Sequence, residues 1–309
     1  MATFCKEMAI FQPAHQFVFI GKDRYLPQPP PNLLIHPLKN TSISLWNKWQ
    51  LKRLLKQTKA DRLVSCQKTG FSIQHVPINE NNFQQVYFTG SVPEGKENIE
   101  VSTATQINPA FKSVVESQTW AEAESVRTSY SGGNSFFLFI GNISETHQLL
   151  ELLKAFSLFK KWQQSSMQLL IAGSRTNWTS ELEEKLATYK YRQDVIIHGK
   201  LKEEDLGRLV AASYALLYPV FGNAFPFAMI WAVQAGKAII ATDCNVNRQI
   251  TDKALWVEPQ NTTEGFAKAM ILLYKDENQQ QSLAQQIKER SIDFNHQQML
   301  ASAWHCIEQ

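Results

Sequence analysis

Phe136-Phe-Leu-Phe-Ile-Gly141 opens a series of short apolar runs, each ending in a turn or polar residue. After it come Leu169-Leu-Ile-Ala-Gly173, Val195-Ile-Ile-His-Gly199, Ala215-Leu-Leu-Tyr-Pro219, Ala238-Ile-Ile-Ala-Thr-Asp243 and Ala254-Leu-Trp-Val-Glu-Pro259. Segments of helical period lie between most of them. This alternation predicts a parallel sheet with helices on both faces. The runs lack strict in-out alternation, as expected of strands buried on both sides. In open sheets of this kind ligands bind beyond the carboxyl ends of the strands, so the residues just after each run are where chemistry is sought.

Working outward, His147 to Trp162 carries Leu149, Leu150, Leu153, Phe156 and Phe159 at helical spacing. Thr179 to Lys190 predicts a helix with Thr179 or Ser180 as its cap. Lys202 to Ser213 predicts another, with acidic residues in its first turn. Ala224 to Ala235 is almost wholly apolar, hence buried, and Gly236 is its natural stop. Thr263 to Tyr274, Glu277 to Arg290 and Phe294 to Ile307 complete the helices. Upstream, Thr119 to Tyr130 reads as a helix ended by Gly132-Gly133.

The amino-terminal part is less regular. Ala2 to Ile10 reads as a helix end, and Gln16 to Gly21, Asn32 to His36 and Asp61 to Cys66 as strands. Pro27 to Pro31 is an extended loop. Ser44 to Lys59 is amphipathic, with Lys48, Lys52, Arg53, Lys56 and Lys59 on its outer side. A solvated face is the simple reading of those cations; contact with anionic lipid is the sharper one. From Gly70 to Glu97 only Gln85 to Phe88 reads as a strand, and Ile99 to Val101 is a further candidate. The domain boundaries read as 1–115, 116–290 and a terminal helix at 291–309.

Composition narrows the class. A chain of 309 residues with 44% hydrophobic residues holds a sizeable core. A net charge of +3 is too small and too dispersed for a nucleic-acid partner. Cys5, Cys66, Cys244 and Cys306 are scattered, which fits a reducing compartment and offers no metal site. There is no membrane-length apolar run and no signal-peptide pattern, so a cytoplasmic location is expected.

In their order and spacing these residues resemble the family-4 type of glycosyltransferase, which has the GT-B fold: two Rossmann-like domains facing a cleft. The resemblance is strongest over residues 99–259. It rests on Ile107-Asn-Pro-Ala-Phe-Lys112, Phe137 to Gly141, Leu170 to Gly173, Val195 to Gly199, Ala211 to Pro219, Ala235 to Asp243 and Ala254 to Pro259. The amino-terminal domain is similar but truncated: it begins in what resembles the family's first helix, without the usual first strand and glycine-rich loop. The resemblance implies transfer of a hexose, such as mannose, from a nucleotide-diphosphate sugar to a cell-surface glycan with retention. The nucleotide sugar would be a co-substrate; no other cofactor is implied.

The same resemblance locates the donor site and shows it altered. The family places an arginine or similar residue directly after Gly141 and a lysine five positions later. Here those positions carry Asn142 and His147. Two glutamates eight residues apart become Asn223 and Trp231, with Ala228 where a proline is usual. Asn142 brings no charge, and His147 carries one only when protonated. Asn223 can bond a sugar hydroxyl; its simpler role is helix capping. Trp231 is donor-only and reads as core, with stacking the alternative. Arg175, after Gly173, reaches phosphate or base, or is merely solvated. On the acceptor side Ser65, Gln67 and Lys68 follow the third strand. Four changed positions point to a decayed donor site. They leave two readings: a weak transferase, or an inactive relative partnering a paralogous transferase, with peripheral membrane contact in either case.

Overall fold

The computed structural model describes residues 2–21, 28–37, 48–60, 62–67, 70–75, 83–88, 105–107, 118–221 and 226–308. They fall into two compact units. One gathers the described residues up to Phe88, 105–107 and those from Gln297 onward; the other comprises 118–221 and 226–296.

In the first unit, α1 (Ala2–Phe11) leads to β1 (Phe17–Gly21), which pairs in parallel with β2 (Leu33–Pro37). Asn32 holds this corner: its amide donates to the carbonyls of Ala9, Gln12 and His15, satisfying groups left over at the end of α1. Helix α2 (Lys48–Thr58) precedes β3 (Arg62–Gln67), β4 (Gly70–His75), β5 (Phe83–Phe88) and β6 (Thr105–Ile107). β3, β4 and β5 run antiparallel in turn, and β6 joins β5 in parallel. The sequence reading finds no strand at Gly70–His75. Its alternation is short and mixed with Ser, Gln and His, so only the partner strands on either side reveal it. Ile99 to Val101 lies outside the described residues.

The second unit begins at α3 (Trp120–Ser131). Thr119 and Glu122 close a reciprocal capping box at its start, and Gly132 ends it in the left-handed conformation. Next come β7 (Phe136–Ile140), α4 (Leu149–Gln163), β8 (Gln168–Ala172), α5 (Thr179–Ala187), β9 (Val195–His198), α6 (Glu203–Ala212) and β10 (Ala215–Tyr218). Then follow α7 (Phe227–Ala235), β11 (Ala238–Thr242), α8 (Asn245–Ile250), β12 (Leu255–Val257), α9 (Thr262–Lys275) and α10 (Glu277–Glu289). The last helix, α11 (His296–Glu308), belongs to the first unit from Gln297 onward. The six strands are all parallel, in the order β12-β11-β10-β7-β8-β9. This is the doubly wound nucleotide-binding order, with its reversal between β7 and β10.

The predicted layers are present. α4 packs with α5 and α9, and α6 with α3 and α7. Every residue of β7 and β11 is buried. Phe136, Phe137 and Phe139 are fully buried, and each such side chain contributes about 1.5–3 kcal/mol. Two details differ from expectation. Neither Thr179 nor Ser180 caps α5: Thr179 Oγ1 instead accepts from the backbone of Thr176. His147 does not open a helix but closes a short 3-10 turn, Glu145–His147, and Gln148 at φ 53° turns the chain into α4.

Candidate functional site

The reversal between β7 and β10 puts two loops side by side at the carboxyl end of the sheet: Gly141-Asn142-Ile143 after β7 and Pro219-Val220-Phe221 after β10. A crevice at such a reversal is where this architecture takes its ligand.

The first loop is rigidly built. Gly141 N–H donates to Ala172 O at 3.1 Å and Ile143 N–H to Ser174 O at 2.9 Å, so pairing with the β8 segment continues past the strand. Thr176 Oγ1 donates to Ile143 O, and Ile143 is fully buried. The approach is so close that a Cβ at Gly173 would lie 1.7 Å from Gly141 O; only glycine fits. Gln148 is fixed from the other side, its Oε1 accepting from Thr262 Oγ1 at 3.0 Å.

The second loop is held by a residue the sequence reading passed over. Asn247, 1% exposed, donates from Nδ2 to Val220 O at 3.0 Å and Thr242 O at 2.8 Å, tying the ends of β10 and β11 together. The stretch Val246 to Ile250 gave no sequence signal for it, because Asn247 is one of three polar residues there and only its burial shows that its amide needs partners. Beside it, Arg248 makes a two-point pair with Asp243 and lies 4.6 Å from the Trp256 ring centroid. The Arg248 hydrogen bonds hold the Asp243 carboxyl below its usual range.

The expected donor residues are only partly brought together. Asn142 is exposed beside Gly141. The His147 ring packs near Phe139, and its Nδ1 donates to Asn142 O at 2.5 Å. A carbonyl only accepts, so Nδ1 is the donor in this bond and Nε2 is the ring nitrogen left to face a ligand. Arg175, at the end of β8, pairs at 2.8 Å with Glu183 of α5. Trp231 is 9% exposed in α7, as the core reading expects, and its indole N–H is buried without a partner among the described residues. Asn223 lies outside the described residues, as does Lys68. Ser65 and Gln67 lie in β3, in the other unit. Lys237 precedes β11, at the opposite end of the sheet from this crevice; burial lowers its pKa, and Arg127 adds to the effect. Among the described residues no cluster of His, Cys, Asp or Glu could hold a metal ion.

A parallel sheet in this order, with a glycine-anchored loop at its reversal, defines a doubly wound α/β unit. The family model of the group 1 glycosyl transferases matches residues 122–290, more than half of the chain. The protein therefore belongs to that family, and its fold is that of the GT-B glycosyltransferases. No curated protein sequence matches it. Among solved structures, a glycosyltransferase from Rickettsia africae superposes with a TM-score of 0.75 at 16% identity, over 99% of this chain and 94% of that one. WaaG, a glycosyltransferase involved in lipopolysaccharide biosynthesis, gives 0.71 at 14%, over 98% and 94%. HepE from Anabaena, in complex with UDP and glucose, gives 0.61 at 13%, over 69% of this chain. The match spans only 59% of the HepE chain. At these identities the likeness is one of fold.

Proposed function

We propose that the crevice at the β7–β10 reversal is a nucleotide-diphosphate-sugar site of reduced strength. On this reading the protein is a retaining hexosyltransferase of the family-4 type, whose transfer to a cell-surface glycan is weak or lost. The sugar is a hexose such as mannose, and the nucleotide sugar is a co-substrate. The observation that supports this best is that His147, Arg175 and Arg248, the candidate cations beside the crevice, each already have a partner within the protein. His147 Nδ1 is bound to Asn142 O, Arg175 to Glu183 and Arg248 to Asp243. A diphosphate leaving group brings negative charge that cations or helix N-termini must meet. Losing a charge-assisted hydrogen bond costs roughly 1.5–3 kcal/mol, so two losses weaken binding by roughly two to four decades. Calorimetric titration with UDP-glucose and with GDP-mannose near neutral pH tests this, with dissociation constants of about millimolar or weaker expected. Micromolar binding accompanied by sugar transfer would overturn it.

An inactive partner of an active, paralogous transferase is the second reading, and Trp231 favours it. A buried, donor-only indole cannot replace a carboxylate that accepts from ribose hydroxyls. This reading expects no transfer even in a variant whose donor binding has been restored. Either role fits a cytoplasmic protein at the inner face of a membrane. No helix among the described residues is long and apolar enough to cross one.

A further inference from the structure

The opposite end of the second unit carries a pair of adjoining grooves. The first, about 550 Å³, lies between α4, α5 and the turn after α5. Lys161, Lys185 and Lys190 line it together with Thr188, Tyr189 and Tyr191. No carboxylate lines it, and none of the three ammonium groups is in an ion pair among the described residues. Lys190 Nζ lies 5.4 Å from the Tyr191 ring centroid. The nearest acidic side chain on α4, Glu151, is matched by Lys154 at 3.6 Å. Three lysines without an ion-pair partner among the described residues, gathered at one groove, favour an anion there.

The second groove, about 500 Å³, shares Lys190 and Tyr191 with the first. It runs under the amino ends of β7, β8 and β9, where Asn134, Ser165 and Ser166 offer neutral hydrogen-bonding groups. Lys160 and Asp194 also line it but neutralise each other at 3.0 Å, and Lys160 further donates to Ser165 O and Met167 O. That lysine is a structural pin. The Ser165 hydroxyl, in contrast, is buried with no hydrogen-bond partner among the described residues, a condition that native structures rarely leave unanswered.

The two halves ask for different things: an anion among lysines and tyrosine rings, and hydroxyls beside Ser165, Ser166 and Asn134. We propose that this double groove binds the phosphate ester of a polyhydroxylated group. The phosphate sits among Lys161, Lys185 and Lys190, and the polyol lies against Tyr191 and reaches Ser165. Each groove has the volume of a small-molecule site. The chemistry is shared by a phosphorylated sugar and by the headgroup of an inositol phospholipid. The site is at the far end of the sheet from the β7–β10 crevice and does not depend on the donor reading.

Nuclear magnetic resonance titration of the full chain with glucose 6-phosphate, and flotation with vesicles of phosphatidylinositol in phosphatidylcholine, test the site and separate the two sources. Saturable shifts at Ser165, Tyr189 and Lys190 are expected, weakened at least about tenfold in Lys161→Gln/Lys185→Gln/Lys190→Gln. Response to the soluble ester alone identifies a free phosphorylated saccharide, and response to the vesicles alone identifies a lipid headgroup. Either supports the site. UDP binding, strong or weak, is expected to be the same in the triple variant as in the parent. No response to either probe overturns the proposal. So do shifts confined to Gly141 to Ile143, or binding that survives the triple variant.

Discussion

Gly173→Ala tests the construction of the crevice directly. The new Cβ would stand 1.7 Å from Gly141 O and 2.7 Å from Gly141 C, both backbone atoms that no rotamer change can move. Real contacts stay beyond 3.0 Å, so the Gly141-Asn142 peptide must retreat by more than about 1 Å. It cannot do so alone. The bond from Ile143 N–H to Ser174 O at 2.9 Å and that from Thr176 Oγ1 to Ile143 O both tie it to the β8 segment. Losing two such bonds, with at least one buried group left unpaired, costs roughly 3–5 kcal/mol. For a unit of this size that lowers the unfolding temperature by about 10 °C. Circular dichroism melting measures the shift, and hydrogen exchange at Ile143 reports whether the loop itself has opened. Gly199→Ala is the control: it too follows a strand, but an added Cβ meets nothing within 4 Å, so a change within about 0.5 kcal/mol is expected. A Gly173→Ala protein that melts within about 1 kcal/mol of the parent, with Ile143 still protected, would show that Gly141 is not seated against Gly173 as described.

Gln164→Gly is expected to stabilise by about 0.5–1 kcal/mol, because Gln164 is an exposed helix end at φ 48°, where a Cβ is unfavourable; denaturant midpoints will show it. The double change Asn142→Arg with His147→Lys is expected to tighten UDP-glucose binding roughly a hundredfold, and calorimetry showing no change would remove diphosphate from the crevice. Burial pushes the Tyr214 hydroxyl up to about 12 from 10.0, so its contribution to stability is complete below pH 10 and disappears as pH rises to about 12. Tyr214→Phe should flatten that part of the alkaline stability curve in denaturant titrations. Tyr218, raised further by burial at the end of β10, keeps a residual slope.

The parallel unit was legible because its strands announce themselves. Phe136 to Ile140 and Ala238 to Thr242 are continuous apolar runs, and a strand buried on both faces has no other way to be written. Gly132 and Gly236 were readable as helix stops because glycine supplies the left-handed conformation found at both. Where another residue supplies it, the signal vanishes. Gln148 and Gln164 take the same conformation at the two ends of α4, and nothing in a glutamine predicts that. β4 was missed for a related reason: Gly70 to His75 is a strand by virtue of the partners on both sides of it, and pairing is not a local property.

The crevice was legible as an address and illegible as chemistry. Spacing placed Asn142 and Arg175 just past strand ends, and there they are; His147, expected to open a helix, closes a 3-10 turn instead. Spacing carried no information about what their polar atoms already do. His147 was weighed as a substitute cation, yet one of its ring nitrogens is held by the carbonyl five residues back, so only the other can meet a ligand. Arg175 looked like a phosphate ligand, yet Glu183, one helix on, takes its guanidinium. Both partners are ordinary residues on solvent-facing segments, and identity alone does not reveal such a pairing. A site that can lose its fixed cations and keep its fold must take its stability from elsewhere, and here the source is visible. The loop after β7 is held by Gly173 and Thr176, Gln148 by Thr262, and the loop after β10 by Asn247, none of which needs a ligand to make its hydrogen bonds or contacts. Loss of donor affinity would therefore cost the fold little. The proposed loss of donor binding requires such a separation, because it leaves the sheet and its loops held without any ligand.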